Sequence, residues 1–147
     1  MEVFLFKESQ ISAEKIAAYR ATDYQFFLDG YDIGLRIDKA CGALIHLFKK
    51  FSCESGFLIT AYNPYGALQS EEENESAHIR LGIDLQKNYS IVLDALGSDP
   101  IGDWPSEKSY FVLGGSLADA QLIGNRYSQD AFVWVGEDAI PRLILLR

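Results

Sequence analysis

Apolar positions along the chain switch between helical spacing and short alternating or continuous runs, and each switch marks an expected element. Ser12 opens a short helix that ends near Thr22, with Ile16, Ala17 and Tyr19 toward the core. Asp23–Leu28 and Asp32–Ile37 are aromatic and β-branched runs on either side of Asp29-Gly30-Tyr31, a turn that favours an antiparallel hairpin. Asp38 is placed to cap a helix whose Leu44, Leu47, Phe48 and Phe51 repeat at i, i+3, i+4 and i+7. Gly56–Tyr62 is a continuous apolar run ended by Asn63-Pro64, the pattern of a central strand buried on both faces.

Ser70-Glu71-Glu72-Glu73 has the form of a capping box, which predicts a helix to about Lys87. Ala77, Ile79, Leu81, Ile83 and Leu85 also alternate with period two, as a strand would. The cap, the length and the stripe Ala77, Leu81 and Leu85 favour helix, and Ile79 and Ile83 then face the other way. Tyr89–Leu96 and Ser109–Leu113 are expected strands, separated by a loop dense in turn residues. Ser116 caps a helix to about Tyr127, and Ala131–Val135 and Leu143–Leu146 close the chain as strands. The order predicts one α+β domain over residues 1–147, a mixed β-sheet with flanking helices.

Length and composition agree with that expectation. At 147 residues, 48% hydrophobic and 23% charged, the chain has the size and core-forming content of a single globular domain, which argues against disorder. A net charge of −8 argues against nucleic acid or an anionic membrane surface as partner. Glu71, Glu72, Glu73 and Glu75 read first as a solvated helical turn favoured by the helix dipole, and second as a docking surface for a basic protein partner. If Ile79 and Ile83 face outward, a homodimer is one way to cover them. Cys41 and Cys53 lack metal-ligand spacing, so no metal site is expected, and no motif names a cofactor. The first residues lack the basic and apolar regions of a signal peptide, and no apolar run has membrane-spanning length, so a cytoplasmic location is expected.

The chemistry-bearing residues gather at strand ends. Thr60, Tyr62 and Asn63 end the apolar strand, and Ser70, Glu73 and Asn74 begin the next helix. Helical geometry puts Asn74 on the same inward stripe as Ala77, His78, Leu81 and Leu85. A carboxamide there needs partners, and the simplest reading is that it pins the Asn63-Pro64 turn. His78 reads as a core or rim histidine before a general base, and His46 as an exposed one. Glycine-rich phosphate loops, G-x-S-x-G and H-E-x-x-H are all missing from the sequence. Gly114-Gly115-Ser116, between a strand and a helix, is at most a weak anion site.

Four segments together carry a resemblance. They are Phe57-Leu-Ile-Thr-Ala-Tyr-Asn-Pro64, then Ser70 with Glu73-Asn74, then Asp99-Pro-Ile-Gly-Asp-Trp-Pro105 with Glu107, and finally Arg126-Tyr-Ser-Gln-Asp-Ala131. In order and spacing this set resembles an uncharacterised bacterial domain family, the DUF3293-like domains, over roughly residues 56–135. Tyr62 stands where that pattern commonly has Trp, and Asp130 where it commonly has Asn. The resemblance implies a bacterial or phage-borne source and no particular reaction. It does mark Thr60, Asn63, Asn74, Glu107, Arg126 and Gln129 as one ligand-binding constellation.

Three functions stay open on the sequence. The first is binding of a small polar or nucleotide-like ligand by amides and hydroxyls at the strand ends. The second is a small hydrolase or transferase with Glu107 or Glu73 as acid or base and Arg126 as anion stabiliser. The third is an acidic interaction module. The richness in neutral amides and the lack of a clear nucleophile favour the first.

Overall fold

The computed structural model describes residues 9–147, so the opening run Val3–Phe6 lies outside the described residues. The elements follow in the expected order: α1 (Ala13–Ala21), β1 (Asp23–Leu28), β2 (Tyr31–Leu35), α2 (Gly42–Lys50), β3 (Gly56–Ile59), α3 (Glu71–Asn88), β4 (Val92–Ser98), β5 (Glu107–Leu113), α4 (Leu117–Arg126), β6 (Ala131–Val135) and β7 (Pro141–Leu145). A 3-10 turn at Pro64–Gly66 follows β3. The fold is α+β, one seven-stranded sheet with strand order β2-β1-β4-β5-β3-β6-β7.

A mixed sheet was expected, and the pairing is antiparallel at every described ladder instead. The reason lies in the crossovers. The segment β3-α3-β4 joins two strands that run the same way, but β5 sits between them. Likewise β5-α4-β6 joins two parallel-running strands with β3 between them. The connection β2-α2-β3 also joins two strands that run the same way and passes three others, so no helical connection makes two parallel strands neighbours.

The sheet separates two apolar layers. On one face Leu44, Leu47 and Phe48 of α2 pack on Phe26, Leu58, Phe111 and Val133. On the other, Ala77, Leu81 and Leu85 of α3 and Ala120 and Ile123 of α4 pack on Phe57, Ile59 and Val112. Period-two alternation along β3 sends Leu58 to the first layer and Phe57 and Ile59 to the second, which is why its four residues are all buried. Phe26 stacks on Phe111 across the first layer with ring centroids 4.3 Å apart. Gly82 lets α3 approach the sheet, because a Cβ there would lie 2.9 Å from Cζ of Tyr110.

Three local expectations are corrected. Asp38 does not cap α2: its φ is +66°, its amide bonds Pro141 O at 2.7 Å, and the helix starts four residues later with Cys41 at its cap. The pull of the start of β7 on this segment overrides the local capping signal. The helix α1 buries none of its residues, although Ile16, Ala17 and Tyr19 were expected toward the core. The strand expected through Tyr62 stops at Ile59, because Thr60 turns its hydroxyl onto backbone. By contrast, the capping box at Ser70 and Glu73 forms in full, and Ile79 and Ile83 face outward.

Candidate functional site

The turn after β3 is built by side chains that replace ladder bonds. Thr60 Oγ1 donates to Lys108 O at 2.6 Å and accepts from the Tyr62 amide at 3.1 Å. Asn63 adopts a left-handed conformation (φ +47°), which carboxamides tolerate better than most residues. Its backbone amide donates to Asn74 Oδ1 at 2.9 Å, and its Oδ1 accepts from Asn74 Nδ2 at 3.0 Å and from the Gln69 amide at 3.1 Å. Gln69 Nε2 also donates to Asn74 Oδ1 at 2.8 Å. This leaves Asn63 Nδ2, which donates to Glu107 Oε2 at 2.7 Å. Trp104 Nε1 makes a longer contact, 3.4 Å, with the same oxygen.

Glu107 opens β5 at the edge of a cavity of about 430 Å³ between the sheet and α1. The floor is Leu58, Thr60, Ser109 and Val133, and α1 supplies Lys15, Ala18 and Tyr19 as the cover. Asp99, Asp103 and a partly exposed Trp104 form the mouth. Burial pushes the Glu107 carboxyl above the usual carboxylate range, against the opposing pull of the Asn63 and Trp104 hydrogen bonds.

The cover is anchored through Asp130, which is 2% exposed. Tyr19 donates its hydroxyl to Asp130 Oδ2 at 2.7 Å, Arg147 Nε meets Oδ1 at 2.6 Å, and Lys15 Nζ lies 3.8 Å from Oδ2. Lys15 also donates to Tyr65 O at 2.9 Å. Gly66 beneath it takes a φ of +73°, a conformation that glycine adopts without strain.

Of the residues marked in the sequence, Thr60, Asn63, Glu107 and Gln129 line this one cavity. Asn74 sits behind it, bonded to Asn63. Arg126 is elsewhere. It reaches toward Asp84 at 3.9 Å, is largely exposed, and lines a separate groove with Glu72, Glu73 and Arg80. Glu73 is spent on the capping box. Local spacing turns Tyr19 inward only as a core residue and carries no signal for Lys15 or Arg147, because the Asp130 they meet lies on another element. Asp130 sat inside a noted motif, and only its burial shows what it anchors. Among the described residues no His/Cys/Asp/Glu group is arranged to hold a metal, and no helix is long and apolar enough to cross a membrane.

No curated protein and no solved structure matches the chain. Residues 59–132 match the model of the family described as "Protein of unknown function (DUF3293)". That span runs from the end of β3 to the start of β6 and includes Thr60, Asn63, Asn74, Glu107, Arg126 and Gln129. With half of its length matched in this way, the chain belongs to the DUF3293 family of proteins of unknown function.

Proposed function

We propose that the protein binds a small molecule in the cavity beneath α1. The observation that carries this reading is a concave space of about 430 Å³, mostly apolar in its walls, into which a partly buried carboxylate is turned by the family-matched turn. Such a space, with a few fixed polar groups, suits a ligand with a flat or compact apolar body. A phosphate-bearing nucleotide fits poorly, because Lys15 is the one cation among the lining residues and is held by Asp130 and Tyr65 O. A ring of nucleobase size fits better.

A small enzyme is the second reading, favoured by the raised proton affinity of Glu107. It would have to work without Arg126, which lines a different groove. The acidic-module and homodimer readings rest on Glu71–Glu75 and on Ile79 and Ile83, which are about half exposed on α3; they concern the opposite side of the sheet and do not compete with the cavity.

Thermal shift against a metabolite library tests the reading, with Ala18→Trp as a control. Ala18 is exposed yet lines the cavity, so an indole there should fill the space without disturbing the core. Compounds that stabilise the wild type should fail to stabilise the variant. Stabilisation that survives Ala18→Trp, or no stabilising compound at all, overturns the proposal.

A further inference from the structure

Hydrogen bonds around the cavity are distributed one-sidedly. The Thr60 hydroxyl donates to Lys108 O, the Ser109 hydroxyl to Glu107 O at 3.2 Å, the Tyr19 hydroxyl to Asp130 and the Tyr24 hydroxyl to Tyr19 O at 2.9 Å. Asn63 Nδ2 is spent on Glu107. Gln129, only 6% exposed, gives Nε2 to two carbonyls, Tyr62 O at 3.1 Å and Tyr127 O at 3.2 Å. Two carbonyl neighbours fix that amide's orientation, because an oxygen in place of Nε2 would face them unbonded.

The groups left over are acceptors. Both hydrogen bonds to Glu107 fall on Oε2, so Oε1 accepts nothing from the described residues. Gln129 Oε1 is equally without a partner among them. Neither oxygen is sealed off from solvent, since His78 Nδ1 is the one fully enclosed and unbonded side-chain atom among the described residues. The charge points the same way. Asp130 is matched by Arg147 and Lys15, whereas Asp99, Asp103 and Glu107 have no ion-pair partner among the described residues.

We infer that the cavity takes a donor-bearing organic cation, a primary ammonium on a compact apolar or aromatic body, with Glu107 Oε1 as its counter-charge and Gln129 Oε1 as a second acceptor. This rests on the small-molecule reading above and narrows it. An ammonium supplies the three donors that the cavity walls lack. Anionic and purely acceptor ligands meet unpaired oxygens instead.

Benzylammonium, benzyl alcohol and benzoate share a phenyl body and differ in charge and donors, so calorimetric titration of each at pH 7.5 separates the cases. Benzylammonium should bind at least tenfold more tightly than benzyl alcohol, and benzoate should not bind. Glu107→Gln, isosteric and still able to accept from Asn63, should remove that tenfold advantage. Ala18→Trp should abolish binding of both. Equal binding of benzylammonium and benzyl alcohol to the wild type overturns the cation inference and leaves the cavity reading standing. Binding that Ala18→Trp does not weaken, or no binding by any of the three probes, overturns both.

Discussion

Asn63 and Asn74 hold each other in both directions: Asn74 Oδ1 accepts the Asn63 backbone amide at 2.9 Å, and Asn74 Nδ2 donates to Asn63 Oδ1 at 3.0 Å. The pair ties the left-handed turn after β3 to the first turns of α3, and through Asn63 Nδ2 it aims Glu107. Both residues are buried, so neither can exchange its partner for water.

Cutting that pair should therefore be costly. Asn74→Ala leaves the Asn63 amide, Asn63 Oδ1 and Gln69 Nε2 short of a partner, and a loss of about 1–3 kcal/mol is expected. Urea unfolding of the two proteins measures it, and a change below about 0.5 kcal/mol would show that the turn holds without the pair.

Glu107→Gln should act in the opposite direction at neutral pH. Because burial raises the Glu107 pKa in the folded protein, the unfolded chain gives up the proton more readily, and wild-type stability falls as pH rises through the raised value. The glutamine variant carries no such charge. It should melt higher than the wild type at pH 7.5, with the gap closing as pH falls toward the ordinary carboxyl range of about 4.3. Parallel melting curves across that range would contradict the assignment.

His78 predicts the mirror-image pH dependence. Its ring lies flat on Tyr110, centroids 4.3 Å apart, and its Nδ1 is buried without a hydrogen bond. Burial lowers its pKa, partly opposed by Glu75 and Asp94 and reinforced by Lys108. The stability tied to the neutral ring is complete above the unfolded value of about 6.5 and declines as pH drops toward the lowered one. His78→Phe keeps a stacking ring and removes the proton site, so its stability should fall less steeply than the wild type's between pH 7 and 5. Equal slopes in chemical denaturation would remove His78 from this account.

Arg126→Ala should change little. The guanidinium is largely exposed and its carboxylate neighbour Asp84 is 3.9 Å away, a geometry worth less than about 0.5 kcal/mol. Ligand affinity at the cavity should also be unaffected, as isothermal titration of the variant would report. A large loss of binding would bring Arg126 back into the site.

What the sequence determined by itself was local. The capping box at Ser70, the apolar stripe of α2 and the turn at Asp29-Gly30 depend on neighbours within a few residues, and they form as the spacing predicts. The inward position of Asn74 followed from helical period alone. Tertiary structure decided the rest, because each remaining feature pairs groups far apart in the chain. Asp38 lost its capping role to the start of β7, and the antiparallel ladders arose because each helical crossover passes at least one strand. Arg126 and Glu107 are separated because Arg126 ends α4 while Glu107 begins β5 beside α1. Burial of Asp130 under Tyr19, Lys15 and Arg147 joins three distant segments, and sequence spacing carries no signal for a contact formed only when both ends of the chain meet over the same sheet face.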